Sequence, residues 1–360
     1  MAAAVTVPNW GARLLAASGV RAEALEARSM FKWISGSDGG KRASDRQVPA
    51  PATAKRDRIL EGVIAHERIS LLFQPQIDPA SGDILGVEAL ARWEGAASPQ
   101  ELFARAAAAG LAERLSRLVQ RKALRLAATW EGPLRHLHLS INLLPEDLAR
   151  SGYDRWLLAE IDSAGVDPAR ITVEITESAL LSDSEAIAER LSNLRAAGVR
   201  VAVDDFGTGY ASLAYLTSLP LDILKIDRGL IADIVGGARD RIVVKAMIAL
   251  AKELNLQVVV EGVESTGQLA LLADWGCDLY QGFLGAGPLD EIELARFVAA
   301  SMAEAAYAAS FARSPAATTR ISPRESCSAP LSRASALGQS RDTDILLSGR
   351  SFAGPFSRSI

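Results

Sequence analysis

The chain has 360 residues, which is enough for one large domain with flanking segments or for two ordinary domains. Its 39 Lys and Arg residues against 43 Asp and Glu residues give a formal net charge of -4, which argues against binding to nucleic acid or anionic lipid. Cys277 and Cys327 lie far apart in sequence, so a disulfide framework and a cysteine zinc site are not expected. No apolar run reaches the ~20 residues that span a bilayer and the N-terminus has no signal-peptide pattern, so a cytoplasmic protein is expected.

The two ends of the chain differ in composition from its middle. Residues 1–57 hold a stretch of helical composition and then a polar linker with Gly and Pro, so we predict a leader that is partly helical or disordered. Residues 58–300 are predicted to form one domain. Residues 301–360 are predicted to complete the last helix and then form a disordered tail, because a sequence rich in Ser, Arg, Ala and Pro buries too little apolar surface to fold.

The middle segment alternates short apolar runs with helix-like stretches. The runs lie at 69–76, 84–93, 136–144, 171–178, 200–207, 222–227, 257–264 and 277–283. Strands that alternate with helices pair in parallel, so this order predicts a (β/α)8 barrel of the α/β class. Only DPASGD at 78–83 joins the first two runs. Because so short a link suits an antiparallel hairpin, we predict a modified TIM-like barrel with its first strand reversed.

Polar side chains occur where most of these predicted strands end. They are Glu88, Asn142, Glu174, Asp204, Asp205, Lys225, Asp227, Glu261 and Gln281. Side chains alternate between the two faces of a strand, which places Asn142 on the same face as Ser140 and opposite Ile141. Chemistry in a barrel of this kind is carried out at the C-terminal ends of the strands. We therefore predict that these residues meet at the mouth of the barrel.

The stretch RVAVDDFG at 200–207 places two aspartates side by side at the end of an apolar strand. Two carboxylates about 4 Å apart repel by about 4 kcal/mol at an effective dielectric near 20, so the groups either raise their pKa values or bind cations. Oxygen ligands from Asp, Glu and Asn suit Mg²⁺ or Mn²⁺ better than zinc. A strand that ends here and turns at Gly207 can direct both carboxylates into the mouth. We therefore predict a pair of divalent cations, an arrangement that assists phosphoryl displacement.

Seven short motifs follow one another along this segment. They are EALARW at 88–93, SIN at 140–142, EITES at 174–178, DDFGTGYASL at 204–213, LKID at 224–227, EGVES at 261–265 and QGF at 281–283. With these motifs, the segment from Arg58 to Val298 resembles the EAL-domain cyclic di-GMP phosphodiesterases. The resemblance implies Mg²⁺- or Mn²⁺-dependent hydrolysis of cyclic di-GMP to linear pGpG, which would lower the level of this bacterial second messenger.

The resemblance also implies roles for individual residues. Metal ligation would fall to Glu88, Asn142, Glu174, Asp204, Asp205 and Glu261, and catalysis to Lys225, Glu261 and Glu88, with Lys225 beside the reacting water. Gln74, Arg92, Asp227 and Gln281 would contact substrate or order the site. Glu177, Gly207 and Gly209 would support the DDFGTG loop, which in the family links metal binding to dimerisation, so a homodimer is expected. We expect regulation through the leader, the tail, dimerisation or a separate regulatory protein.

Other interpretations stay open on the residues alone. One is a module that senses cyclic di-GMP or a protein partner without turnover, although the complete set of carboxylates and the lysine favour an enzyme. Another is a magnesium-dependent barrel enzyme with enolase-like chemistry, which does not share the motif order. His136 and His138 have the spacing of some metal ligands, but no third ligand accompanies them, so histidines that line the barrel or its core are favoured.

Overall fold

The structure is a computed structural model, and it describes residues 56–177, 184–207 and 213–312. The predicted leader and tail lie almost entirely outside these ranges, as does Gly209. None of the helices within the described ranges combines the length and the apolar character that crossing a bilayer requires.

The eight strands close into a barrel in which each strand pairs with its neighbours in sequence and the last pairs with the first. They are β1 (Ser70–Ile77), β2 (Ile84–Arg92), β3 (His138–Leu143), β4 (Ile171–Thr176), β5 (Arg200–Phe206), β6 (Ile223–Ile226), β7 (Gln257–Val260) and β8 (Leu279–Tyr280). β1 runs antiparallel to both β2 and β8, and all other pairs are parallel. The predicted barrel with a reversed first strand is therefore confirmed.

One helix precedes β1, one follows β8, and the others lie between successive strands from β2 onward. The helices are α1 (Arg58–Ala65), α2 (Pro99–Ala108), α3 (Ala112–Ala128), α4 (Pro145–Ala149), α5 (Tyr153–Ala164), α6 (Ser184–Ala196), α7 (Leu213–Ser218), α8 (Arg228–Ile231), α9 (Ala238–Glu253), α10 (Thr266–Asp274) and α11 (Glu291–Ala312). Side chains cap several of them, as where Ser265 and Gln268 form a capping box at α10. Residues 101–130 have a continuous helical composition that predicts one helix. The structure divides this stretch into α2 and α3, because Gly110 adopts φ 70° between them.

Apolar residues cover the outer face of the barrel, where the helices pack. Leu139, Ile141 and Val173 are at most 1% exposed and belong to the main core. Inside the barrel, a separate small apolar cluster is formed by Ala202, Ile223, Val259 and Leu279. The next inward-facing positions along the same strands are polar, and they include Asp204 and Lys225. The interior thus changes from apolar to polar toward the C-terminal ends of the strands.

Two of the strands, β7 and β8, end three or four residues before their predicted ends. β7 ends at Val260 and β8 at Tyr280, before Glu261 and Gln281. The chain cannot continue as a regular strand there, because Gly262 has φ 68° and Gly282 has φ 156°. A Cβ atom at Gly282 would lie 2.3 Å from the backbone nitrogen of Val263, so this close approach of two backbones requires glycine. The polar residues that follow these strands therefore lie at the barrel mouth.

Candidate active site

A fully buried lysine lies at the centre of the barrel mouth. Lys225 is 1% exposed, and its Nζ lies 2.7 Å from Glu261, 2.9 Å from Glu174, 3.0 Å from Asp204 and 3.3 Å from Glu88. These carboxylates come from β2, β4 and β5 and from the residue after β7. A single cation does not balance four ionised carboxylates in a region largely removed from water, so the carboxyls must either hold protons or bind further cations.

An amide network connects the carboxylates of Glu88 and Glu261. The Nε2 group of Gln281 donates to Glu88 at 2.8 Å and to Glu261 at 3.0 Å. Asn142 donates through Nδ2 to the other oxygen of Glu88 at 2.9 Å. With its amide nitrogen engaged in this way, Asn142 keeps its side-chain oxygen for another partner. The carboxylate of Glu88 is therefore fixed by hydrogen bonds on both oxygens.

Asp204 and Asp205 lie together because the fifth strand is irregular. The register between β5 and β6 shifts between Val203 and Phe206. Asp205 adopts φ 56°, a left-handed conformation that Asp tolerates better than most residues. Such a bulge can direct a side chain away from its regular face, which is a common arrangement next to functional sites. Asp204 and Asp205 thus share one site although consecutive residues of a regular strand point to opposite faces.

Burial and mutual repulsion raise the pKa values of several of these carboxyls. Burial, outweighing the attraction of Lys225, raises the pKa of Glu261 to about 8. Burial and the charge of Asp204 raise the pKa of Asp205 to about 6, and burial with the charge of Glu88 raises that of Glu174 well above its usual range. Lys225 shows the opposite balance, because the surrounding carboxylates overcome its burial and raise its pKa.

Among the described residues, two groups of carboxylates are close enough to hold metal ions. Oxygens of Glu88, Glu174 and Asp204 lie within 4.8 Å of one another, and so do oxygens of Asp204, Asp205 and Glu261. Asp204 belongs to both groups. The ligand set consists of oxygens only, which is the set that Mg²⁺ and Mn²⁺ prefer. One oxygen of Glu174, Oε1, is buried and has no hydrogen-bond partner among the described residues, which fits a cation bound beside it.

The residues predicted to contact substrate surround this cluster. Gln74 lies beside Glu88 in the β1–β2 ladder. Arg92 ends β2, and its pKa is lowered by burial although the charge of Glu88 acts in the opposite direction. Asp227 follows β6 and caps α8 by accepting from the backbone of Gly229. Its charge contributes to the raised pKa of Asp205.

The residues predicted to support the loop after β5 are only partly described. Glu177 is 6% exposed, and its Oε2 accepts a long hydrogen bond of 3.4 Å from the backbone nitrogen of Gly207. Gly207 has φ 98°, a conformation that favours glycine. The structure therefore joins Glu177 to the first residue after β5, while Gly209 lies outside the described residues.

Gln76 is a further residue of the site that the predicted set does not include. Its Nε2 group lies 3.4 Å from the side-chain oxygens of Gln281 and Ser140, and the residue is 5% exposed. It therefore supports the amide that bridges Glu88 and Glu261. The alternation of side chains could have indicated it, because Gln76 lies two residues after Gln74 and so on the same face of β1.

The chain is a modified (β/α)8-barrel protein with a reversed first strand, and it carries a carboxylate cluster around a buried lysine at its mouth. Within that class, the sequence model of the EAL domain matches residues 56–288. The chain therefore belongs to the EAL domain family.

The similar proteins include several named phosphodiesterases. The chain is 35% identical over 271 residues to cyclic di-GMP phosphodiesterase NbdA of Pseudomonas aeruginosa, a match that covers 72% of this chain and 34% of NbdA. It is 41% identical over 252 residues to an uncharacterized protein of Azorhizobium caulinodans, covering 68% of this chain and 34% of that protein. The chain thus spans about a third of the length of these curated relatives.

Solved structures show the same fold. A PaMucR phosphodiesterase in a c-di-GMP complex matches with a TM-score of 0.61 and 34% identity, over 65% of this chain and 97% of that one. The FimX EAL domain of Pseudomonas aeruginosa bound to c-di-GMP matches with a TM-score of 0.57 and 26% identity, over 64% of this chain and 95% of that one. The barrel is therefore the part of the chain that these structures share.

Proposed function

We propose that this chain hydrolyses cyclic di-GMP to linear pGpG at the barrel mouth with the help of two divalent cations, Mg²⁺ or Mn²⁺. The observation that carries the proposal is the pair of carboxylate groups that share Asp204 beside Lys225. The relatives named as cyclic di-GMP phosphodiesterases and the c-di-GMP complex of PaMucR support the choice of substrate.

The ligand set proposed for the cations is Glu88, Asn142, Glu174, Asp204, Asp205 and Glu261. Asn142 belongs to this set because its Nδ2 group is bound to Glu88, which leaves the amide oxygen for a cation. Divalent cations in such a site polarise a phosphate and lower the pKa of a bound water. The Glu174 oxygen that has no partner within the described part of the chain supports this assignment.

The chain's own residues would position the water and the substrate. Lys225 is proposed to donate to the attacking water and to offset the charge that develops on the phosphate. Glu261, hydrogen-bonded to Gln281 and paired with Lys225, is proposed as a proton acceptor near that water. Gln74, Arg92, Asp227 and Gln281 are proposed to contact the substrate or to order the site, and this role stays a prediction.

Assembly and location are also part of the proposal. The family resemblance supports a homodimer connected through the loop after β5, with Glu177, Gly207 and Gly209 as its support. A separate regulatory protein is a further proposed partner. We propose a cytoplasmic location, because cyclic di-GMP is an intracellular messenger.

The proposal is tested by incubating the purified chain with cyclic di-GMP and Mg²⁺ or Mn²⁺ and separating the products by chromatography. We expect pGpG from the native chain. We expect the variants Lys225→Met and Glu88→Gln to lose at least about a hundredfold in kcat, because each removes a charged group that would act at the reacting phosphate or its cations.

A matched control is Glu253→Gln, which removes an exposed carboxylate on α9 and is expected to keep native activity. Circular dichroism spectra of all variants establish that they are folded. Tight binding of cyclic di-GMP without any pGpG would contradict the enzyme and support the sensing module instead.

A further inference from the structure

A buried polar network lies behind the barrel mouth, between α3, α4, α5 and the end of β3. It consists of Ser116, Gln120, Asp147 and Tyr153, and we call it the Gln120 network. Gln120, Asp147 and Tyr153 are 0% exposed and Ser116 is 2% exposed. Four buried polar side chains are costly unless each is hydrogen-bonded, so their arrangement requires an explanation.

The hydrogen bonds of the network run in one direction. The Tyr153 hydroxyl donates to Oε1 of Gln120 at 2.8 Å, and Nε2 of Gln120 donates to Ser116 at 2.9 Å. The Ser116 hydroxyl in turn donates to Oδ2 of Asp147 at 2.5 Å. Each donor and acceptor in this series therefore has a partner, and such connected networks are rigid.

The network ends on the backbone around Asn142. The second proton of the Gln120 amide is directed at the carbonyl oxygen of Asn142, 3.2 Å away, and Oδ2 of Asp147 accepts from the backbone nitrogen of Leu144 at 3.2 Å. The carbonyl oxygen of Asn142 belongs to the peptide bond between residues 142 and 143. The nitrogen of Leu144 belongs to the next peptide bond, between residues 143 and 144. The network therefore holds the backbone from which that side chain projects.

Strand pairing by itself does not hold this stretch on both sides. The ladder between β2 and β3 ends at the pair Glu88 and Ser140, two residues before Asn142. Only β4 continues alongside, with Asn142 opposite Glu174. Beyond the last residue of β3 that pairs with β2, the side chain of Gln120 donates to the backbone carbonyl of Asn142 instead.

We infer that the Gln120 network is a positioning device that holds Asn142 in the orientation needed for cation binding. The inference rests on the proposed function, because it assumes that Asn142 contributes a metal ligand. Partners outside the first layer of ligands orient those ligands, and their loss commonly weakens metal affinity by 10- to 100-fold. Neither Gln120 nor Tyr153 touches the carboxylate cluster directly in the described contacts, so both act through Asn142.

The test is the affinity for Mn²⁺, measured from the electron paramagnetic resonance signal of free Mn²⁺ during titration. We expect Gln120→Leu, which has a similar volume but no hydrogen bonds, to weaken Mn²⁺ binding about tenfold. We expect Tyr153→Phe to weaken binding by a smaller factor, because it removes only the bond most distant from Asn142. In turnover assays, the Mn²⁺ concentration for half-maximal rate should rise while kcat at saturating Mn²⁺ stays within about twofold.

The control is Leu124→Ala, which truncates a core residue one turn further along α3, 1% exposed, without touching β3 through a hydrogen bond. It is expected to lower the melting temperature but to leave the Mn²⁺ affinity unchanged. If Gln120→Leu does not fold, Tyr153→Phe carries the test. Native Mn²⁺ affinity in the folded Gln120 and Tyr153 variants would overturn the inference alone, whereas failure of the native chain to bind Mn²⁺ would overturn the proposed function as well.

Discussion

Asp205 has two local costs that a regular strand residue avoids. Its backbone is left-handed, with φ 56°, and its carboxyl is close to that of Asp204, which together with burial raises its pKa to about 6. Strained residues and shifted pKa values both concentrate at functional sites. Asp205 therefore lowers the stability of the fold in the conformation that places it in the carboxylate cluster.

Replacing Asp205 with Asn is expected to stabilise the fold and weaken cation binding. The folded pKa lies above the unfolded value, so the penalty is absent below pH 4 and develops as the pH rises through about 6. At pH 8, with a chelator present, Asp205→Asn should raise the free energy of unfolding by about 1 kcal/mol, because Asn also tolerates a positive φ. Urea unfolding at pH 8 and pH 4.5 measures this, and an equal gain at both pH values would contradict the explanation.

His138, in the barrel interior, affects the pH dependence of stability in the opposite direction to Asp205. Burial and the charges of Arg200 and Arg170 lower its pKa to about 4, below the unfolded value. The unfolded chain then binds the proton first, so stability is complete above about pH 6.5 and falls as the pH drops toward 4.

His138→Gln should remove this contribution. Between pH 7 and pH 4.5, we expect the native chain to lose about 1 to 2 kcal/mol more unfolding free energy than the variant, after allowance for the partial exposure of the ring. Chemical denaturation of both proteins at the two pH values provides the comparison. Parallel losses in both would show that His138 does not contribute.

At the scale of elements, the barrel mouth depends on where β7 and β8 end. Gly282 follows Gln281, and its backbone passes so close to Val263 that no Cβ atom fits. This contact keeps the segment after β8 against the segment after β7. Gln281 can then reach both Glu88 and Glu261.

Gly282→Ala is therefore expected to destabilise the protein by about 2 to 3 kcal/mol, since backbone atoms must move to admit the methyl group. Gly62→Ala is the matched substitution. Gly62 lies within α1 with no atom within 4 Å of an added Cβ, so Ala should stabilise that helix by about 0.5 to 1 kcal/mol. Thermal unfolding of both variants tests the contrast, and a similar change in both would contradict it.

The whole barrel should respond to cations, because the carboxylates of the mouth come from strands distributed around it. A cation that binds only the folded chain stabilises it, by about 2.7 kcal/mol at a concentration a hundred times its Kd. For a domain of this size we expect the melting temperature to rise by about 5 to 10 °C. A chelator should reverse the rise.

Differential scanning fluorimetry with Mn²⁺, Mg²⁺ and EDTA measures this effect. The variant Glu174→Gln should show a much smaller rise, because it weakens the group formed with Glu88 and Asp204. A melting temperature that is independent of both cations would argue against a metal site in the barrel mouth.

Much of the architecture could be predicted from the sequence, because the signals are local. The alternation of apolar runs with helical stretches predicts the barrel, and the six-residue link at 78–83 predicts the reversed first strand. The alternation of side chains along each strand placed the polar residues at the mouth. Boundaries were less accurate, since β7 and β8 are shorter than predicted and Gly110 divides one expected helix into two.

The sequence by itself determined which polar residues lie at the ends of the strands. Only the tertiary structure decided which of these side chains contact one another. Lys225 meets Glu88 across 137 residues, and Gln281 reaches Glu88 across 193. The bulge that joins Asp204 to Asp205 depends on pairing with β6, and the Gln120 network depends on helices packed behind β3. Periodicity and turn chemistry act over a few residues and can be recognised in the chain, whereas contacts between distant side chains exist only once the barrel has closed.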